Sequence, residues 1–296
     1  MTLLPKLKQC PASGEGIHKW VCYAACTLVE AGMTDEQAEP EIEAGMSREP
    51  NPASEIKDAL RYARGDRRSC SPRWSLANPA AIAEIVRNGP NVLELVSRSR
   101  ELIQFGPQSR SELFIDVLFP SNPWLCIGRA NDRFYTNRRE SWRGQLNEQS
   151  LIVPSPMCAQ KGRTKQGKQS WHSEENTGPR RFLIVEFDQG ALDNQAALLW
   201  HLAQFAPLAL VVFSGSKSVH GWFFCEGQSE DTLQRFFDYA VSLGADSKTW
   251  SRSQFVRLPD GKRSDSKTSD ALAHSGIRNV PSGRQAVLYF DRGVVQ

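Results

Sequence analysis

The order of apolar and polar positions divides the chain into a helical first part and a mixed second part. From Ile17 the apolar residues recur at helical spacing, through Val21, Ala24, Ala25, Leu28 and Val29, and Gly32 offers a C-cap. Thr34 opens TDEQ, and Gln37 completes a capping-box pattern. Asn51-Pro52 offers a third start, an N-cap with proline at the first helical position, ahead of Ile56, Ala59, Leu60 and Ala63. Three short helices are expected over 16–65. RGDRRSCSPRWSLANP has no period and reads as an Arg-rich linker.

From Asn78-Pro79 the pattern is mixed. A short helix is expected at 79–88, and SELFIDVLFP reads as another, ended by Pro120. PWLCIG and RFYTN look like strands, while 155–178 is polar and reads as a long loop. Then follow strand 182–187, helix 191–205, strands 208–213 and 219–225, helix 229–243 and a closing strand in AVLYFD. The connection at 214–218 is short and hairpin-like. Interleaved strands and helices predict an α+β fold with an antiparallel or mixed sheet.

Composition narrows this little. Hydrophobic residues make up 40% and charged residues 23%, ordinary values for a globular protein. The net charge of +3 is small, but its distribution is uneven. Lys161, Arg163, Lys165 and Lys168 form a run without an acid, and Arg61, Arg64, Arg67, Arg68 and Arg73 stand against Asp66 alone. Basic clusters with Trp74 and Trp171 nearby fit nucleic-acid contact and equally fit solvated loops. The seven cysteines are scattered with no CxxC pair, which argues against a zinc knuckle or a disulfide framework. Cys22 and Cys26, one helical turn apart, read as part of a buried stripe. MTLLPKLKQCP lacks a long apolar core, so no signal peptide is expected, no run reaches membrane-span length, and a cytoplasmic protein is expected.

The candidate chemistry sits in 182–220. FLIVEFD is an apolar strand ending in Glu186 and Asp188, whose side chains point the same way because they are two apart. An acidic strand end can simply face water. Here six strand residues and an apolar helix flank it, and buried acids need a partner or a metal. SGSKSVHGW supplies Ser214, Gly215, Lys217 and Ser218 in a turn, with His220 on the face of Ser218. Such a turn suits phosphate, and it is also what a polar hairpin looks like. Asp246 follows a helix across Gly244 and could add a third acid; Asp238, Asp260 and Asp265 compete for that place. GRTKQGKQ nearly matches a P-loop, but Gln169 replaces the Ser/Thr, and neither a leading strand nor a following helix flanks it. It is rejected as an NTPase motif and kept as a basic loop. There is no GxSxG elbow, and His18, His172, His201, His220 and His274 form no spaced metal motif.

In this order, Glu186-Phe187-Asp188, Ser218-Val219-His220 and Asp246 ahead of Arg257-Leu258-Pro259 resemble the three motifs of the archaeo-eukaryotic primase superfamily. That superfamily includes the primase-polymerases of phages, plasmids and other mobile elements. The resemblance covers roughly 105–290. It implies a catalytic domain over 105–296, with helices on an RRM-like sheet, after a linker with helices at 67–104. It implies two Mg²⁺ or Mn²⁺ ions on Glu186, Asp188 and Asp246, and a nucleotide triphosphate on Ser214, Lys217, Ser218, His220 and Arg257. It implies an NTP- or dNTP-using primase or polymerase acting on a single-stranded DNA template, touched by Lys161, Arg163, Lys165 and Lys168, with a separate helicase or other replication protein as partner. The helical module, 1–66, loosely resembles the small helical domain that follows the catalytic part in such primases; here it comes first. Two departures stand out: Glu-x-Asp in place of Asp-x-Asp or Asp-x-Glu, and Asp260 interrupting an Arg-x-Pro-Gly pattern. Two other classes share these features: a non-catalytic nucleic-acid-binding replication or defence protein with the same fold, and a metal-dependent nuclease.

Overall fold

The computed structural model describes residues 7, 9–12, 16–51, 53–65, 79–263 and 271–295. The chain forms two compact units, Met1–Ser75 and Leu76–Gln296. Among the described residues no helix is long and apolar enough to cross a membrane.

The first unit has the three expected helices: α1 (Gly16–Glu30), α2 (Asp35–Gly45) and α3 (Glu55–Ala63). Their apolar stripes meet in one core that includes Trp20, Val21, Leu28, Ile42, Ile56 and Leu60. Gly32 takes the left-handed φ of 82° that ends α1, and the Thr34 amide donates to Gln37 Oε1 at 3.0 Å. Asn51-Pro52 does not open the third helix. Pro52 lies outside the described residues, and α3 starts at Glu55 after Ser54. The reason is the Glu55 carboxylate, which is fully buried. It accepts two bonds from the Arg48 guanidinium, at 2.8 and 2.9 Å, one from the Asn51 amide at 2.7 Å, and contacts His18 Nδ1. The segment before α3 thus wraps around a side chain of the helix.

Burial alone would raise the Glu55 pKa. Arg48, the Asn51 amide and His18 outweigh it and hold the carboxyl below its ordinary value. The stability it contributes is present above the ordinary carboxylate range and lost as pH falls through the lowered pKa. Glu55→Gln leaves Arg48 without its counter-charge and is expected to cost the first unit about 3 kcal/mol. Urea denaturation followed by circular dichroism measures this, and a loss below about 0.5 kcal/mol would contradict the assignment.

The second unit is built on two antiparallel four-stranded sheets. One has the order β2-β1-β3-β9, from β1 (Trp124–Ala130), β2 (Arg133–Arg138), β3 (Leu151–Ile152) and β9 (Val256–Arg257). The other has the order β10-β7-β8-β6, from β6 (Phe182–Phe187), β7 (Leu208–Phe213), β8 (Val219–Phe224) and β10 (Val287–Phe290). β8 runs antiparallel to both β6 and β7, so those two are parallel across it. They are joined by α7 (Leu192–Leu202), and α8 (Glu230–Ser242) follows β8. The succession β6-α7-β7-β8-α8-β10 is a split β-α-β pattern.

The second sheet is covered on both faces. Leu183, Val185 and Phe187 pack with Ala196 and Leu199 of α7 and Phe237 of α8. Phe182 and Ile184 pack on the other side with Leu125 and Ile127 of β1 and with Phe114 of α6 (Ser111–Leu118). Two buried faces explain why FLIV and LALVVF are continuous apolar runs without alternation. At Gly221 a Cβ would lie 2.6 Å from Leu199 Cδ2, so α7 rests directly on β8 there.

Part of the expected linker region belongs to this core. α4 (Pro79–Asn88) and α5 (Val92–Ser97) pack against α7, and the Val92 amide donates to Asp193 Oδ1 at 2.9 Å. The Arg-rich part with Arg67, Arg68 and Arg73 lies outside the described residues. The expected long loop at 155–178 contains a β-hairpin, β4 (Gly162–Arg163) with β5 (Gln169–Ser170). Its polar composition hides the strands, because a two-residue pair facing water needs no apolar pattern.

Candidate functional site

The antiparallel register sets Glu186 opposite His220 and Phe187 opposite Val219. The side chains of Glu186 and His220 lie on the face shared with Ile184 and Trp222, toward the first sheet. His220 Nε2 lies 3.4 Å from Glu186 Oε1 and 3.4 Å from Ser218 Oγ. The imidazole is 3% exposed. Burial pushes its pKa down; Glu186 opposes this, Arg257 and Arg263 reinforce it, and Asp246 opposes it. The result lies below the ordinary histidine value, so the ring is neutral at pH 7. A neutral ring facing a carboxylate carries its proton on Nε2. Nδ1 is then an acceptor, buried with no hydrogen-bond partner among the described residues.

Asp188 stands just past the end of β6, half-exposed, with Lys217 Nζ 3.2 Å from its Oδ2. Asp246 comes from the far side. Its amide donates to the Glu186 carbonyl at 2.8 Å, and its carboxylate caps the 3-10 turn Ser247–Trp250 through the Lys248 amide at 3.0 Å. That contact covers the open edge of β6 and brings the third acid to the strand that carries the first two. Asp238 is instead bonded to Gln234 within α8, and Asp265 lies outside the described residues. Among the described residues no group of three or more His, Cys, Asp or Glu side chains is disposed to hold a metal ion.

The 214–218 turn is tightly braced. Gly215 has φ 84°, the Ser214 amide donates to the Ser218 carbonyl at 2.8 Å, and the Ser218 amide donates to Ser214 Oγ at 3.2 Å. Arg263 Nη1 donates to the Ser214 carbonyl at 2.6 Å. A Cβ at Gly215 would lie 3.0 Å from Arg263 Cδ, so only glycine suits both the φ and the contact. Arg257 is half-buried in β9 and close enough to depress the His220 pKa. Asp260 does not displace it. Asp260 holds a left-handed φ of 56° and anchors the Arg110 amide and Ser109 Oγ, while Gly261 provides the close approach to the Gln149 carbonyl. Lys161, Arg163, Lys165 and Lys168 lie on the hairpin or beside it, in an element separate from the acids. The hairpin leads into no helix, as the rejection of a P-loop anticipates.

Two residues escape sequence reasoning. Arg263 is one. The other is Gln195 on α7, which is fully buried. Its Nε2 donates to the carbonyls of Lys217 at 3.0 Å, Gly190 at 3.1 Å and Gln189 at 3.3 Å, and its Oε1 accepts from the Val219 amide at 3.0 Å. One side chain therefore ties the loop after Asp188 to the turn carrying Lys217. The signal was an amide at the head of the apolar run AALLWHL, and only tertiary contacts reveal its use. Gln195→Leu strands these buried backbone groups and is expected to cost about 2–3 kcal/mol in urea denaturation. A neutral result would remove Gln195 from the account of the site.

A second histidine titration checks the electrostatics nearby. His172 packs between Phe134 and Phe255 and donates from Nε2 to the Ser253 carbonyl. Burial lowers its pKa, against the opposing pull of Ser253 and Glu174. It stays neutral in the fold while the unfolded chain takes a proton, so stability falls as pH drops below about 6.5. In His172→Phe the loss of unfolding free energy between pH 7 and pH 5 is expected to shrink. The change is at most about 1.4 kcal/mol per pH unit, and an unchanged slope would refute the assignment.

In comparisons with known proteins, no family model, no curated protein and no solved structure matches the chain.

Proposed function

We propose that the second unit is a DNA-templated nucleotidyltransferase, a primase or primase-polymerase that makes or extends primers on single-stranded DNA. The observation that carries this is the register of β6 on β8. It pairs Glu186 with His220 while Asp188 meets Lys217 and Asp246 hooks onto the Glu186 backbone. Three acids and three cationic residues, Lys217, Arg257 and Arg263, thus gather at one strand end around a neutral imidazole. The succession β6-α7-β7-β8-α8-β10 agrees with a β-α-β-β-α-β core, while the sheet order departs from an RRM-like sheet: β6 lies at the edge and β10 pairs with β7.

The donors fit Mg²⁺ or Mn²⁺ in kind, being hard carboxylate oxygens. Among the described residues the three carboxylates are not grouped to hold a metal ion as they stand, so Glu186, Asp188 and Asp246 would have to draw together around the ions. When bound, such ions lower the pKa of an attacking 3′-hydroxyl and offset charge at the transferred phosphate. The chain's own groups do the rest. Lys217 would exchange its Asp188 partner for a phosphate oxygen, freeing that carboxylate. The Ser214 and Ser218 hydroxyls and Arg257 would hold the triphosphate, and neutral His220 would turn its one Nε2 proton from Glu186 to a phosphate oxygen without adding a buried charge. Its unmet Nδ1 marks a hydrogen-bonding demand that a ligand's donor could fill.

Labelled NTPs or dNTPs with Mg²⁺ or Mn²⁺ on single-stranded DNA test this. Product without a supplied primer is expected, falling at least about a hundredfold in Glu186→Ala/Asp188→Ala. Extension alone would make the protein a polymerase. Strand degradation dependent on the same acids would favour the nuclease, and DNA binding without turnover, equal in both proteins, the binding protein.

A further inference from the structure

We propose that the β4–β5 hairpin and the adjoining edge of β2 form a guide for single-stranded nucleic acid, gripping phosphates with Lys165 and Lys168 and stacking a base on Tyr135. This rests on the templated reading only in what the strand is for; the surface is argued from its own geometry. The hairpin is closed by the Thr164 amide on the Lys168 carbonyl at 2.9 Å, with Gly167 at φ 77° in the turn. Lys165 and Lys168 are exposed on it and have no ion-pair partner among the described residues. The nearby acids are already engaged. Glu175 accepts from the Arg163 amide, and Glu174 accepts from Ser251 Oγ at 2.7 Å and Ser253 Oγ at 3.0 Å.

Beside the cations stands an aromatic step. Lys161 Nζ lies 4.3 Å from the Trp171 ring centre, and Tyr135 meets Trp171 edge-on at 5.9 Å. Tyr135 is 55% exposed, a large aromatic side chain on the edge strand β2. A cationic turn next to an open aromatic ring is the combination that tracks a phosphate backbone while stacking unpaired bases; duplex bases are inaccessible to it. The hairpin's base is also fixed to the candidate site. Glu174, His172 and Arg252 bond it to 251–253, the stretch between the Asp246 turn and Arg257. A strand held on the hairpin would therefore be held by the same segment that presents Asp246.

Fluorescence anisotropy of a labelled oligothymidine with the full chain tests the inference, between 50 and 200 mM salt. Lys165→Ala/Lys168→Ala is expected to weaken binding and reduce the log–log salt slope by about 1.4, which is about 0.7 for each of two phosphates no longer neutralised. Tyr135→Ala is expected to weaken single-strand binding at least fivefold, on the order of one stacked base, without changing the slope or duplex binding. Wild-type affinity in both variants, or no oligothymidine binding by the wild type, overturns the guide. Primer synthesis run in parallel separates the two claims. Synthesis intact with variants that bind like wild type sinks only the guide; absent synthesis with hairpin-dependent binding sinks only the polymerase.

Discussion

Glu186 and His220 face each other across β6 and β8 in a sheet that is buried on both sides. A carboxylate and an imidazole in that position are costly unless something nearby answers them. Much of the local structure does so. The ring stays neutral, the serine turn approaches its Nε2, and two arginines stand close enough to shape its titration. The pair also fixes where the chain can open to solvent, since Asp188 lies one step beyond the last covered strand position.

The supports of this arrangement are backbone bonds more than side-chain pairs. Gln195 joins the two loops that carry Asp188 and Lys217, Arg263 braces the turn through the Ser214 carbonyl, and Asp246 seals the edge of β6 through the Glu186 carbonyl. Buried backbone groups must find partners, so these contacts are obligatory where exposed ion pairs are not. Lys217–Asp188 is the exposed, exchangeable member of the set. A site with a rigid frame and one loosely held charge pair suits a ligand that competes for the lysine.

The main elements were legible because their patterns are local. Helical spacing with Gly32 and Thr34 marked α1 and α2, and the apolar runs at 182–187, 208–213 and 219–225 marked three strands. The short strands β3, β9, β4 and β5 carried too few residues for a period, and α5 was too brief to register. At the site, two-residue spacing put Glu186 with Asp188 and Ser218 with His220. Facing Glu186 with His220 needed the register, which a single strand does not reveal. Gln195 and Arg263 act through carbonyls distant in sequence, and no motif announces such bonds. Asn51 misled because Glu55, buried with Arg48, drew the segment into a different path.

Crystals soaked in Mn²⁺ with a non-hydrolysable nucleoside triphosphate would test the central claim most directly, read by anomalous scattering. The account predicts manganese between Glu186 and Asp188, within reach of Asp246, with the triphosphate on Lys217 and the 214–218 turn and the Lys217–Asp188 pair broken. Manganese and nucleotide bound elsewhere, or absent at saturating concentration while Glu186 keeps His220 and Asp188 keeps Lys217, would contradict it.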